Sequence, residues 1–245
     1  MIVGIIPARY ASTRYPGKPL IDIQGKSMIQ RVYEQASKSK SLDRVVVATD
    51  DEGIHKHVAG FGGEVVMTAE DHPSGTDRCK EALGKIGGGF QYVINIQGDE
   101  PFIDPSQIDT LAAVLADGTT ELATLIIPVK DHELLFDKGE VKVVLNSNME
   151  ALYFSRMVIP YIKGAEEKEW HKHHKYYRHV GMYAYRADVL GKVTKLSVSS
   201  LEQAESLEQL RWLEHGFKIK CALTDFESHC IDTPEDVEKV LRLMH

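Results

Sequence analysis

The chain has 245 residues, 43% of them hydrophobic and 27% charged, enough apolar material for one large domain or two small ones with a real core. Its formal net charge of -7 excludes a protein that coats nucleic acid through a basic face, so any anion site must be local. The three cysteines, Cys79, Cys221 and Cys230, have no paired CxxC spacing, which excludes a disulfide framework and a zinc ribbon and fits a reducing cytoplasm.

The first apolar run, "IVGIIP" (2–7), ends at Pro7 and is followed by Arg9, too short for a signal peptide's apolar region or a membrane span. It reads as an interior strand. The loop after it, "ARYASTRYPGKPL", carries Arg9, Arg14 and Lys18 before the first acid of the chain, Asp22. A dinucleotide-binding turn needs GxGxxG and a Walker A loop needs a glycine five residues before Gly-Lys-Ser/Thr; this loop has neither. Side-chain cations remain as the phosphate ligands, arginine as a bidentate fork and lysine as a point charge. Singly, each is an ordinary solvated loop charge. Together, on a loop whose path Pro16, Gly17 and Pro19 fix, they read as an anion site.

Further along, a helix is predicted over 28–38, with Ser27 and Gln30 able to form a capping box, then a strand over 44–49, a helix over 51–60 and a strand over 64–68. "HPSGTDRC" (72–79) opens a helix over 75–86, and Ser74, Gly75 and Thr76 offer hydroxyls and amides to a base or ribose, or simply an N-cap. A strand over 92–97 delivers "GDEPFIDP", with Asp99 and Glu100 just past its carboxyl end. Asp104 and Pro105 serve as cap and first turn of the next helix, which leaves Asp99 available as a hard oxygen ligand suited to magnesium. A strand over 122–129 follows. This β-α alternation implies an open doubly wound sheet, whose ligands bind beyond the carboxyl ends of the strands.

The second half is less regular. Stretches 140–146, 151–162 and 179–186 read as strands of a small subsidiary sheet, and the polar segment 163–178 as a mobile excursion near the site or at an interface. His171, His173 and His174 lack rigid spacing and, even with His179, a cysteine or carboxylate partner set; a basic wall for an acidic substrate fits better than zinc. Arg156 faces either solvent or substrate. Ser200 and Ser206 are read as opening short helices, each with a glutamine three residues later, and Gly216 as ending the second. A strand over 218–223 precedes a helix from Pro234, capped by Thr233, with Asp232 one residue outside. If Asp99 and Asp232 reach one point, they can hold a metal against phosphates. The expected organisation is one domain, 1–245, with a subsidiary substrate and dimer region at about 130–215.

The blocks "IPARYASTRYPGKPL", "VVVATDD", "SGTDR", "INIQGDEP", "ALYFSRMVIP", "YRHVGMYAYR", "LEQLRWLEHG" and "IDTPED" run from the first strand to the last helix, and in that order the chain resembles the 3-deoxy-manno-octulosonate cytidylyltransferases, or CMP-Kdo synthetases. The resemblance implies a Rossmann-like nucleotidyltransferase fold of mixed α/β sheet, and a reaction in which the anomeric hydroxyl of Kdo attacks the α-phosphate of CTP. CMP-Kdo for lipopolysaccharide and pyrophosphate are the implied products, and Mg2+ the implied cofactor. It places Arg9, Arg14 and Lys18 on the triphosphate and, with Asp99, in catalysis; Ser74, Gly75, Arg78 and Gln97 near the cytidine; Asp99 and Asp232 on the metal. Arg156, His179, Tyr183, Glu208 and Gln209 fall on the sugar pocket, although Gln209 also suits a capping box with Ser206. A cytoplasmic homodimer with no nucleic-acid or membrane partner is implied too.

Two departures mark this chain: "HCI" stands before Asp232 where Gly and Val are expected, a change expected to alter only local packing, and 163–178 is poor in the family's recognisable residues. Competing readings are an 8-amino-Kdo or sialic-acid cytidylyltransferase, a regulatory nucleotide-binding module without turnover, and a nicotinamide-dependent dehydrogenase, which the missing glycine fingerprint disfavours.

Overall fold

The structure is a computed structural model that describes residues 1–11, 15–227 and 230–243. Its strands are β1 (Ile2–Ala8), β2 (Asp22–Ile23), β3 (Lys26–Ser27), β4 (Arg44–Thr49), β5 (Val65–Met67), β6 (Tyr92–Asn95), β7 (Leu122–Pro128), β8 (Lys142–Leu145), β9 (Ala151–Ser155), β10 (Tyr177–Arg186) and β11 (Ile219–Leu223). Its α-helices are α1 (Met28–Ala36), α2 (Glu52–Gly60), α3 (Gly75–Ile86), α4 (Pro105–Val114), α5 (His132–Phe136), α6 (Trp170–His173), α7 (Ala187–Val193), α8 (Ser200–Glu205), α9 (Glu208–Glu214) and α10 (Pro234–Leu243).

The main sheet runs β11-β7-β10-β6-β1-β4-β5. Its neighbours are parallel except β10, which lies antiparallel between β6 and β7. Helices cover both faces, and the strand residues divide between two cores by strict alternation. Ile6, Ala8, Val45 and Val47 pack on the side of α1, α2 and α4; Val3, Ile5, Val46 and Ala48 pack on the side of α3, α7 and α9. A strand buried on both faces has no polar side to show, which is why these segments read as unbroken Val and Ile runs. Each such buried side chain stabilises the fold by about 1.5–3 kcal/mol relative to exposure.

Three expectations need correction. The subsidiary sheet is instead a branch of the main one: β8 pairs with the first residues of β10, and β9 pairs with β8. Segment 163–178 is anchored rather than loose, because Trp170 on α6 is 4% exposed and packs with Val129, Leu135 and Tyr176 in a small core of its own. Trp170 Nε1 donates to Ala165 O at 3.1 Å and Tyr176 OH to Pro160 O at 2.7 Å, so an aperiodic segment is held by two aromatics with satisfied polar ends. Ser200 and Ser206 cap neither helix. At the head of α8 Ser199 N donates to Glu202 Oε2 at 3.2 Å, while Ser206 ends α8 in the left-handed region at φ 53°, so Gln209 completes no box.

Caps elsewhere follow the sequence. Asp104 and Gln107 form the capping box of α4 with Pro105 at its start, and Ser74 accepts from Asp77 N at the head of α3. Ser27 accepts from Gln30 N, but the Gln30 side chain turns to Glu34, leaving half of the expected box. No helix among the described residues is long and apolar enough to cross a membrane.

Candidate active site

The site lies at the carboxyl edge of β1 and β6, where the chain leaves the sheet beside the start of α3. A cleft of about 270 Å³ opens there, lined among others by Arg9, Lys18, Ser74, Gly75, Gln97, Asp99 and Asp232. Two glycines allow the approach. A Cβ on Gly98 would lie 2.7 Å from the Pro7 carbonyl oxygen, so only glycine lets the loop after β6 pass that close to β1. Gly17, at φ 73°, begins a 3-10 turn over Lys18–Leu20 that delivers Lys18 into the cleft, and its N–H donates to Tyr10 O at 3.0 Å to close the loop.

Lys18 is the centre of the arrangement. Its ammonium donates to Asp99 Oδ2 at 2.8 Å and to Asp232 Oδ1 at 3.0 Å, joining residues 81 and 214 positions away. Burial alone would lower the Lys18 pKa, but Asp99 and Asp232 outweigh it and hold the ammonium above its ordinary value. The Cys230 sulfur stands with these carboxylates: one ligand atom from each of Asp99, Cys230 and Asp232 lies within 4.8 Å of the others. The departure at "HCI" therefore alters the acid cluster itself and not merely its packing. Enclosure of the sulfur, then Asp99 and Asp232, push the Cys230 thiol up, although the residue as a whole is exposed.

Two carboxylates meeting at one point fit a magnesium ion, and the observation that supports the fit is the chain's own: a lysine cation already occupies the meeting point. Asp104 caps α4, so Asp99 has no capping duty. Asp232 stays outside α10, where Asp236 accepts from the amides of Asp232 and Thr233 at 3.1 and 2.9 Å. Glu100 turns inward, 6% exposed, and is not among the cleft residues.

The opposite wall is the head of α3. First-turn amides of a helix carry partial positive charge and lack internal acceptors, and Gly75 brings them to the cleft. Glu208 of α9 fixes this turn by accepting from Thr76 Oγ1 at 2.9 Å and standing 3.1 Å from Ser74 Oγ, whose shorter contact is to Asp77 Oδ2 at 2.7 Å. Burial raises the Glu208 pKa against the pull of those two hydroxyls. Arg78 lines the cleft yet is 3% exposed, with Nη2 on Asp50 Oδ2 at 2.8 Å and Nη1 on Thr68 Oγ1 at 2.6 Å. Its fork thus ties α3 to the ends of β4 and β5.

Gln97 links the cleft to β10. Its Nε2 donates to Gly181 O, at a bulge where the register of β10 against β7 shifts between Val180 and Tyr183. Thr124, fully buried, fills this bulge: Oγ1 donates to Met182 O at 2.8 Å and meets His179 Nε2 at 2.8 Å. With its single proton on a carbonyl, the hydroxyl accepts from His179, which fixes the Nε2–H tautomer. Burial lowers the His179 pKa to about 3. The ring lies tilted at 41° against Tyr183, 5.1 Å between centroids, and the Tyr183 ring meets Trp212 at 5.0 Å.

The described residues thus bring Arg9, Lys18, Ser74, Gly75, Arg78, Gln97, Asp99 and Asp232 to one cleft. His179, Tyr183, Glu208 and Gln209 lie outside its lining, with Glu208 directed to α3 and Gln209 5% exposed on α9. Arg156 is held by main-chain oxygens, its Nε 2.8 Å from Glu205 O. Arg14 lies outside the described residues. Sequence reasoning missed Asp50 as the partner of Arg78 and gave Cys230 no place beside the acids; the latter was signalled by the altered block before Asp232.

A family model described as "Cytidylyltransferase" matches residues 3–219. The chain is 57% identical, over 99% of its length and 97% of the relative's, to a 3-deoxy-manno-octulosonate cytidylyltransferase of Parabacteroides distasonis. It is 47% identical, over 95% of its length and 94% of the relative's, to an 8-amino-3,8-dideoxy-manno-octulosonate cytidylyltransferase of Shewanella halifaxensis. Among solved structures, CMP:2-keto-3-deoxy-manno-octonic acid synthetase complexed with CTP superposes with a TM-score of 0.92 at 44% identity, covering 99% of this chain and 98% of the other.

Proposed function

Because the chain belongs to the cytidylyltransferase family that includes the 3-deoxy-manno-octulosonate enzymes, we propose that it activates Kdo with CTP, forming CMP-Kdo and releasing pyrophosphate. The observation that carries this reading is the convergence of Lys18, Asp99 and Asp232 opposite the head of α3, at the sheet edge where a nucleotide belongs. In the reaction the anomeric oxygen of Kdo forms a bond to the α-phosphorus, the bond from that phosphorus to the bridging oxygen breaks, and the hydroxyl proton leaves to solvent.

Phosphoryl chemistry of this kind depends on positioning and charge neutralisation more than on a covalent nucleophile. Arg9 and Lys18 supply fixed positive charge for the triphosphate, and the first-turn amides of α3 add aligned dipoles. Asp99 and Asp232 would hold Mg2+, which when bound neutralises phosphate charge and lowers the pKa of a hydroxyl it touches. Arg78 and Glu208 keep the Ser74–Thr76 turn in place for the nucleoside. Gln97, through Gly181, couples that turn's cleft to the strand carrying His179 and Tyr183, the side assigned to the sugar.

The same reading makes the chain a cytoplasmic enzyme of lipopolysaccharide synthesis and a homodimer. Leu152, Met157 and Tyr161, 60%, 60% and 71% exposed on and after β9, are large apolar side chains that a subunit contact would cover. The deciding experiment incubates the chain with CTP, Mg2+ and Kdo and measures pyrophosphate. Release that requires all three supports the reading; release equal with and without Kdo overturns it. Parallel assay of the 8-amino sugar decides between the two acceptors named among the relatives.

A further inference from the structure

The catalytic cation position has a donor that two aspartates do not explain. Asp99, Cys230 and Asp232 present one oxygen, one sulfur and one oxygen within 4.8 Å of one another, and the Lys18 ammonium stands against both oxygens, marking the point as one where positive charge is held. Carboxylates alone form a hard set that suits magnesium, whereas a thiolate adds a soft donor that favours zinc and its thiophilic relatives. The three side chains come from two loops, Asp99 after β6 and the other two before α10, and Ile231 N donates to Asp99 O at 3.0 Å to hold those loops together. The sulfur's place beside the acids is therefore set by main-chain pairing.

We propose that Asp99, Cys230 and Asp232 form a mixed two-carboxylate, one-thiolate site, through which this chain takes thiophilic divalent cations such as zinc and cadmium at the position proposed for magnesium. On binding, the metal–sulfur bond replaces the thiol S–H bond and the proton leaves to solvent. Lys18 gives up its two carboxylate contacts, so the same event frees the ammonium. The inference rests on the proposed role of Asp99 and Asp232 as cation ligands.

The test titrates the full chain, freed of metal, with cadmium alone and follows the ultraviolet sulfur-to-cadmium charge-transfer band, with calorimetry in parallel. Cys79 and Cys221 are 0% and 3% exposed inside the core, so a band reports Cys230. The expected result is a saturable band that is absent in Cys230→Ser and Cys230→Ala and lost in the Asp99→Asn, Asp232→Asn double variant, with cadmium affinity about tenfold or more weaker in both cysteine variants. Circular dichroism checks that each variant is folded. No band, a band that survives the double aspartate change, or equal affinity in the cysteine variants overturns the proposal. Magnesium-dependent pyrophosphate release by the unaltered chain separates the two readings: turnover without a band overturns only the thiolate site, whereas a band without turnover overturns the parent function.

Discussion

Lys18 and Asp99 form an ion pair at 2.8 Å in which the lysine also reaches Asp232 at 3.0 Å, so one ammonium closes the gap between two acids that a divalent cation would otherwise bridge. The contact is a ground-state arrangement. A metal held by the two carboxylates, as proposed, would weaken their hold on Lys18 and leave its charge facing the phosphates.

Lys18→Ala removes the charge proposed for the phosphates and the neutralisation of the acid pair. Turnover should fall about 10²–10³-fold, as for other losses of charge stabilisation at a transition state. Stability should fall by only about 1 kcal/mol, because the partners are partly open to water. A melting temperature that drops without magnesium and recovers when it is added identifies repulsion between Asp99 and Asp232 as the cause; equal kinetics would remove Lys18 from the mechanism.

Asp99→Asn keeps the shape and deletes the charge. Because Asp99 caps no helix, the circular dichroism spectrum should be unchanged while turnover falls by orders of magnitude. Unfolding of this variant at room temperature would assign Asp99 a structural role instead.

Glu208 should make stability fall as pH rises. Its folded pKa is raised above the ordinary 4.5, chiefly by burial, so between 4.5 and that raised value the folded chain binds more protons than the unfolded chain. Glu208→Gln should flatten this part of the curve, with its stability relative to the unaltered chain improving from pH 4 towards neutrality. Guanidinium unfolding at several pH values measures it, and a slope left unchanged by the substitution contradicts the assignment.

His179 acts with the opposite sign. With a folded pKa lowered to about 3 against an ordinary 6.5, its contribution is present above pH 6.5 and is lost as the pH falls towards 3. His179→Gln, able to donate to Thr124, should remove most of that acid-side loss. The same titration should show a shallower decline for the variant, and an identical decline would place the sensitivity elsewhere.

Gly98→Ala tests the close approach of the loop after β6 to β1. Its Cβ would stand 2.7 Å from Pro7 O, a backbone atom that cannot rotate away, so the loop bearing Asp99 must shift. We expect a cost of about 1–3 kcal/mol and turnover reduced about 10²-fold through misplacement of the carboxylate. Wild-type kinetics would show that the loop has slack.

The parallel strands were legible in the sequence because burial on both faces writes an uninterrupted apolar run, and β4 matches its expected bounds of 44–49. Charges just past those runs were legible for the same reason: Arg9, Lys18 and Asp99 have no place in the core. What could not be read was pairing at a distance. Asp50 holding Arg78 and Glu208 holding Ser74 depend on which helix packs where, and nothing local distinguishes these carboxylates from solvated ones. Trp170 misled in the other direction, since a lone aromatic in a charged, aperiodic stretch gives no repeat to detect although it anchors the segment. Ser206 was misread because serine is a common cap, and its left-handed backbone is a tertiary outcome.

The reversal of β10 has an evolutionary corollary. Because this strand enters the sheet against the grain, its opening residues overhang the edge that β1 and β6 leave, and Gly181 meets Gln97 there. Strands β6 and β10 are thus neighbours of opposite direction, and the contact of Gln97 with Gly181 lies just beyond their shared pairs. On the proposed assignment of His179 and Tyr183 to the sugar, substitutions along β10 would retune which sugar acid is admitted while the loops carrying Lys18 and Asp99 stay as they are.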